Sequence, residues 1–258
     1  MDKLLLDLEK ELSKNVVITS TTFYKLDNFV DSVREKLARK SIREATKRGY
    51  NVIVVDSGSP LETLDFFETC GAKVYKQKET GMGAGRREAI GYANESGLPI
   101  VVWTEPEKSP YISQLIKTVA PIASGQAEMV IPRRTPITLK SYSNQQYSEL
   151  LGNAFFHRLT GLDLDVWFGP RVWSKNLSHY FLEYQDKIYG DKWDSIFVPL
   201  LYIIKNGHKV VSVDVKYVHP QEQTLLEDND LNFYKKRVEQ LDILFKALEA
   251  YWKKLSSS

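Results

Sequence analysis

The residues best suited to chemistry stand at the end of Val101-Val102-Trp103-Thr104-Glu105-Pro106-Glu107-Lys108-Ser109. Ile100 to Trp103 is a short apolar run that reads as a buried strand, and two carboxylates leave its C-terminal end two positions apart. A strand repeats every second residue, so Glu105 and Glu107 can share one side of an extended segment. Pro106 fixes its own φ and biases Glu105 toward an extended conformation. Two carboxylates at the C-terminal edge of a sheet can hold a hard divalent cation through oxygen, and the cation can hold a diphosphate. A polar loop with solvated glutamates would carry the same letters, and this stretch alone does not choose between the two.

Other groups repeat that placement at a strand or helix end. Asp56 closes the apolar run Asn51 to Val55 and opens Ser57-Gly58-Ser59-Pro60. It can accept a hydrogen bond from a base or ribose, or cap the helix that follows, a role Ser59 would fill equally well. Gly81, Gly83 and Gly85 permit close backbone approach to a phosphate that Arg86 or Arg87 would neutralise, although a plain turn fits as well. The spacing matches neither the dinucleotide fingerprint nor a Walker loop. His219 ends the last strand before Pro220 and can complete a coordination shell begun by Glu107, or serve a structural purpose. His157, His179 and His208 are assigned no chemistry. Asp194 lies near a helix start, where it favours the helix dipole or receives a hydroxyl's hydrogen bond or proton. Asp163 and Asp165 alternate among apolar residues and read as exposed acids beside ordinary packing. Arg133, Arg134 and Arg171 can grip an anionic acceptor through forked hydrogen bonds, with a solvated basic surface as the alternative.

Strands and helices in alternation must position these groups. A helical stripe of Leu4, Leu5, Leu8 and Leu12 precedes a first strand at 15–20, and a long helix over 28–48 stops at Gly49. The strand at 51–55 is apolar throughout, as expected for burial on both faces. A helix at 61–70, a strand at 72–75, the glycine segment running into a helix, the strand at 100–103, a helix at 111–120 and a strand at 127–131 follow. This alternation predicts an α/β domain with a mainly parallel sheet. Farther on, helices are expected at 142–160, 191–205 and 231–255, an irregular segment or strand at 163–172, and a strand at 208–218. The helix at 191–205 is open to bending at Pro199. The stripe Tyr234, Val238, Leu241, Leu244, Phe245, Leu248 and Trp252 marks the last helix as a packing element.

The 258 residues carry 35 basic and 33 acidic side chains, a balance that argues against a nucleic-acid partner held by a strong uniform field. Cys70 is the only cysteine, so neither an intrachain disulfide nor a cysteine zinc cage is expected. No stretch approaches the roughly 18 apolar residues of a transmembrane helix, and the N-terminus lacks the apolar core of a signal peptide. A soluble, reducing, cytoplasmic setting is the expectation, and it leaves room for a homodimer.

Taken in order, the segments resemble the family-2-like glycosyltransferases of the GT-A fold over roughly residues 15 to 225. VIVVDSGSP at 52–60 is similar to that group's nucleotide-binding VVDDGS segment, and GMGAGRREAI to its GKGAA segment. Met82 stands where the common lysine is, which would shift a phosphate role to Arg86 or Arg87. VVWTEPEKS resembles the D-x-D metal motif, with Glu105 and Glu107 in place of the aspartates. AEMVIPRRT, LLGNAFFHRLTGLDLDVWFGPRVWSK and GDKWDSIFVPLLYIIKNGHKVVSVDVKYVHP resemble the later strand, the acceptor-side segment and the final helix–strand pair. The resemblance implies a three-layer α/β/α sandwich formed by one domain over 1–258. Within it, 15–132 would form the nucleotide-binding half, 133–225 the acceptor half and 229–258 a C-terminal helix.

The implied activity is transfer of a hexose from a UDP- or GDP-sugar to a small anionic soluble acceptor, assisted by Mg²⁺ or Mn²⁺. The similarity is greatest to retaining enzymes that make glucosyl- or mannosyl-(phospho)glycerate. Asp194 would be the catalytic acid position. Glu105, Glu107 and His219 would hold the metal. Asp56, Gly81, Gly83, Arg86, Arg87 and Glu105 would bind the nucleotide sugar, and Arg133, Arg134 and Arg171 the acceptor. A sugar-phosphate nucleotidyltransferase is the alternative, although its glycine loop would follow the first strand rather than the third. A non-catalytic nucleotide-sugar-binding relic is a further one.

Overall fold

The computed structural model describes residues 3–135, 143–228 and 230–257, with side chains from residue 7 onward. The N-terminal Leu4 and Leu5 side chains, and Tyr142 in the helix expected from 142, lie outside that description. Seven strands form one sheet: β1 (Val16–Thr22), β2 (Asn51–Asp56), β3 (Lys73–Lys76), β4 (Ile100–Trp103), β5 (Met129–Arg134), β6 (Arg171–Ser174) and β7 (Val210–Val215). Their order is β3-β2-β1-β4-β6-β5-β7. Only β6 runs against its neighbours, β4 and β5; the other pairings are parallel. Trp103 pairs with Arg171, so β6 begins at the edge where β4 ends. The expected α/β class with a mostly parallel sheet is what the chain adopts.

The apolar runs make this sheet because both faces are covered. Val17, Val101, Trp103, Met129 and Trp173 enter one core, and Val16, Ile18, Val102, Val130 and Val172 enter the other. Burying each such valine or isoleucine is worth about 1.5–3 kcal/mol, so neither face tolerates a polar residue cheaply. Against the first face pack α4 (Met82–Glu95), α7 (Asn144–Thr160), α8 (Ser178–Glu183), α9 (Asp194–Lys205) and α11 (Leu231–Ser257). Against the second pack α2 (Phe29–Lys47), α3 (Leu61–Thr69), α5 (Ser109–Ile112) and α6 (Leu115–Ala123), while α1 (Lys3–Ser13) contributes Leu12 at its margin. No helix among the described residues is long and apolar enough to cross a membrane.

Several boundaries depart from the sequence expectation. The helix expected at 111–120 is two short helices, α5 and α6, and the strand expected at 127–131 runs on to Arg134. The segment 163–172 resolves into a single 3-10 turn at Val166–Phe168 followed by β6. Neither α8 nor α10 (Gln221–Asp228) was anticipated. The glycine segment is not an open loop: α4 begins at Met82, so Gly83 and Gly85 already lie inside a helix.

Candidate active site

At the edge where the parallel strands end, a cavity of about 250 Å³ opens beneath α10 and α11. Its floor carries Thr21 of β1, Trp103 at the end of β4, the turn after β4, and Arg171 at the start of β6. Phe233, Lys236, Arg237 and Gln240 enter from α11 at i, i+3, i+4 and i+7, one continuous helix face. Six basic side chains, Arg34, Arg86, Lys108, Arg171, Lys236 and Arg237, line the cavity against four carboxylates, Glu105, Glu107, Glu149 and Glu227. That excess of positive charge in a concave site favours an anionic ligand.

Glu105 is placed by the abrupt end of β4. The Lys108 N–H donates to the Glu105 carbonyl at 3.1 Å. This closes a four-residue turn with Pro106 at its second position, where a fixed φ is favoured. Glu105 and Glu107 therefore leave a tight turn rather than an extended strand, and the alternation expected for them is not realised. The Glu105 carboxylate lies over Gly169, which adopts φ +102°, and a Cβ there would come within 2.5 Å of Glu105 Oε2. Glycine is needed at 169 on both counts.

Around Glu105, three polar atoms lack partners. Its own Oε2, the Arg86 Nε and the Arg171 Nε are buried without a hydrogen bond. An unpaired buried polar atom costs about 1–3 kcal/mol, so a bound ligand that satisfied all three would gain substantially. Arg86 is held by donating to the Lys192 carbonyl at 2.5 Å and to Ser195 Oγ at 3.0 Å, with its guanidinium 5.6 Å from the Trp103 ring centre. Arg171 is fully buried, donates to the carbonyls of Gly169 and Val166 at 2.9 and 3.3 Å, and lies 4.7 Å from the Phe197 ring centre. Burial pushes Arg86 down to about 10 and Arg171 to about 9, while Glu105 opposes both shifts. Both guanidinium groups thus remain charged at neutral pH.

The second acid of the pair is already engaged. Glu107 is buried, and its Oε1 accepts from the Tyr24 hydroxyl at 3.1 Å and from Arg34 at 2.8 Å. Burial, reinforced by Glu107, pushes the Tyr24 phenol well above its ordinary value, so it stays a donor. His219 also lines the cavity, with Nδ1 2.8 Å from Thr224 Oγ1. Burial and then Lys108 lower its imidazole to about 4, so at neutral pH it is uncharged.

The remaining candidates sit at similar strand and helix ends but do not line the cavity. The Asp56 carboxylate accepts from Thr22 Oγ1 at 2.6 Å, Ser59 Oγ at 2.5 Å, and the Gly58 and Ser59 N–H groups at 2.8 Å each. It fastens its own turn. Gly81, at φ +115°, starts α4 with open space around it. The Gly83 N–H donates to the Asp191 carbonyl at 2.8 Å, and Asp191 fills the place of a Gly83 Cβ. Gln77 does the same at Gly85, 2.6 Å from the Cβ position. These glycines let α4 pack closely. Arg87 forms a two-pronged pair with Asp191, at 2.7 Å on each side.

Arg134 is clamped by Asp165 at 2.6 and 2.7 Å and by Glu149. Asp165 also takes Asn153 at 2.7 Å and is buried, contrary to the exposed acid expected there. Arg133 pairs with Asp214 at 2.7 Å and Asp163 at 3.3 Å near the surface. Asp194 is fully buried, accepting from the Tyr184 hydroxyl at 2.8 Å and the Lys192 N–H at 2.7 Å. Burial raises its carboxyl above the usual range. Of the residues singled out in the sequence, Arg86, Glu105, Glu107, Arg171 and His219 are the ones the fold gathers around the cavity.

Residues 25–173 match the family model described as glycosyl transferase family 2. The chain belongs to that family. Among solved structures, this glycosyl transferase family 2 chain is similar to glucosyl-3-phosphoglycerate synthase of M. tuberculosis. The TM-score is 0.63 at 15% identity, over 94% of this chain and 84% of that one. The complex of that synthase with Mg²⁺ and uridine diphosphate aligns with a TM-score of 0.59 at 14% identity, over 92% and 82% of the two chains. Its complex with Mn²⁺, UDP-glucose and phosphoglyceric acid gives 0.60 at 14% identity, again over 92% and 82%. At such identities the likeness establishes the GT-A architecture. Comparison with curated proteins returned no match.

The Mg²⁺ or Mn²⁺ expected for this family 2 chain can be tested against its own donors. Glu105, Glu107 and His219 all reach the cavity, yet no three His, Cys, Asp or Glu side chains among the described residues converge to hold a metal ion. Glu107 spends Oε1 on Arg34 and Tyr24, and Glu105 Oε2 has Lys108 Nζ at 3.9 Å. As arranged, the donor set does not fit a divalent cation. The cations missed from sequence explain why. Arg34 and the Lys236–Arg237 pair lie on polar helix faces that read as solvated until the fold turns them toward one cavity; the α11 spacing at 233, 236, 237 and 240 was the available signal.

Proposed function

We propose that this family 2 chain transfers a hexosyl group from a nucleoside-diphosphate sugar, with UDP or GDP as the nucleotide, to a small anionic acceptor. One observation carries the reading: a buried Glu105 oxygen without a hydrogen bond stands at the C-terminal edge of the sheet beside two arginines whose Nε groups equally lack one. In open α/β sheets that edge is where nucleotide ligands bind. The C–O bond between the anomeric carbon and the diphosphate breaks, a C–O bond to an acceptor hydroxyl forms, and the hydroxyl proton leaves with the diphosphate or to water.

Glu105 accepts a hydrogen bond from a hydroxyl at the reacting centre, and the Cβ-free surface of Gly169 keeps its carboxylate in place. Arg86 contacts donor phosphate and Arg171 the acceptor's anionic group, each with its guanidinium already oriented by carbonyls. Preorganised charges of this kind stabilise developing charge without reorganisation. Asp194 acts at one remove. It fixes Lys192 beside Trp193, and Trp193 forms part of the cavity wall.

The support from relatives is architectural: the synthase structures it resembles contain UDP, UDP-glucose and phosphoglyceric acid. The test is product analysis. The purified protein is incubated with UDP- and GDP-hexoses and small phosphorylated or carboxylated acceptors, and products are identified by mass spectrometry. An acceptor enlarged by one hexosyl group is expected with one nucleotide. Absence of any hexosylated product, with intact donor recovered throughout, would remove the proposal.

A further inference from the structure

Glu107 has a cation already, and it is supplied by the chain. Arg34 reaches from α2 to within 2.8 Å of Glu107 Oε1. Lys236 and Arg237 enter the same cavity from α11, and Arg237 lies 3.5 Å from Glu227 Oε2. Lys236 is an exposed residue, yet its ammonium is held below the ordinary lysine range by desolvation, then by Arg34 and Arg237, with Glu227 and Glu107 opposing. Three cations therefore share one corner with Glu107 and Glu227, and Asp31, 3.2 Å from Arg34, lies on the far side of that guanidinium, so Lys236 is the cation without an ion-pair partner of its own among these acids. Such a cluster is paid for when a polyanion arrives.

We propose that Arg34, Lys236 and Arg237 hold the donor diphosphate in place of a divalent cation, so that nucleotide binding by this protein does not require metal. The inference rests on the glycosyltransfer reading above and deepens it. A dication bridging Glu105 and Glu107 would sit against two fixed positive charges, Arg34 at 2.8 Å from Glu107 Oε1 and Lys108 at 3.9 Å from Glu105 Oε2. A diphosphate, by contrast, accepts forked hydrogen bonds from guanidinium groups that are already charged and already in the cavity. The α11 face thus does what its spacing permits: its C-terminal half packs through Leu244, Ala247 and Leu248, and its N-terminal half presents cations.

The experiment is calorimetric titration of the full chain with UDP and with GDP, in EDTA and again in Mn²⁺. One nucleoside diphosphate is expected to bind in EDTA, with a Kd within about threefold of its value in Mn²⁺. Lys236→Ala, an exposed position, is expected to weaken binding in EDTA by about tenfold or more with an unchanged melting temperature. Arg34→Ala is expected to weaken it similarly and, by freeing Glu107, to create a Mn²⁺ response that the parent protein lacks. Binding that appears only with Mn²⁺ in the parent protein overturns the inference and leaves the glycosyltransfer reading standing. Unaltered affinity in Lys236→Ala and Arg34→Ala also overturns it. Absence of binding by both UDP and GDP, in EDTA and in Mn²⁺ alike, overturns both.

Discussion

Two carboxylates, Asp56 and Glu105, occupy equivalent places in the sheet, at or just past the C-terminal ends of β2 and β4. Asp56 is buried and accepts four hydrogen bonds, every one from its own turn or from the adjacent end of β1. Glu105 retains an oxygen with no hydrogen bond, opens on a cavity and has two arginines and, at 3.9 Å, Lys108 for electrostatic neighbours. Position at a strand end is common to both; unmet hydrogen-bonding capacity belongs to one. The corner that is satisfied holds the fold, and the corner that is not satisfied has something left to give a ligand.

That contrast can be broken by substitution. Glu105→Gln keeps the shape but removes the charge beside Arg86 and Arg171. The expected outcome in a transfer assay is a loss of kcat/KM of about 10²–10³, the scale of removing one preorganised electrostatic partner, with little change in melting temperature. Asp56→Ala should do the reverse. It strands two hydroxyls and two N–H groups, and chemical denaturation should show a loss of about 3 kcal/mol, with nucleotide affinity in the folded fraction nearly preserved. If Asp56→Ala instead abolished nucleotide binding at full stability, the contrast between the corners would be wrong.

Gly169→Ala sharpens the comparison by moving Glu105 without altering it. The new Cβ meets the carboxylate at 2.5 Å, and the alanine must adopt φ +102°. A stability cost of about 1–2 kcal/mol is expected, together with a fall in turnover of roughly tenfold or more, measured by denaturation and initial rates. At the open corner His219 supplies a pH signature. Its folded value, about 4 against an ordinary 6.5, means that the folded state disfavours the proton. Stability should therefore be complete above about pH 6.5 and fall as pH drops toward 4, by on the order of 1 kcal/mol after allowance for partial exposure. NMR titration of the His219 ring should show the low midpoint, and His219→Gln should flatten that part of the stability profile. The smallest effect is expected at Arg133→Ala, within about 0.5 kcal/mol, because its partners Asp163 and Asp214 are solvent-exposed.

Much of the sheet is legible in the letters because β4, the middle of β2 and the first half of β1, Val16 to Ile18, are buried on both faces and read as apolar runs. Strand β6 and helices α8 and α10 are not: β6 has only Val172 and Trp173 between Arg171 and Ser174, and the two helices are too short to show a period. The same limit governs the site. Arg86, Glu105, Glu107, Arg171 and His219 announce themselves as polar residues beside glycines or at the ends of apolar runs, and the fold gathers them. Asp194, Arg87 and Arg134 carry the same local signature, but Tyr184, Asp191 and Asp165 engage them, and no local pattern shows those partners. The family resemblance was legible through motif order along the chain, which the match over residues 25–173 bears out. What motif order could not show is that Arg34 occupies the acid where a cation was expected.

The most direct measurement is a crystal structure of the protein with the nucleoside diphosphate that binds it. The diphosphate is expected in the cavity beneath α10 and α11, within hydrogen-bond reach of Arg86 or Arg34, with the Glu105 carboxylate facing the space left for the sugar. A nucleotide bound at another face of the sheet, or a Glu105 side chain turned out of the cavity in the complex, would contradict it.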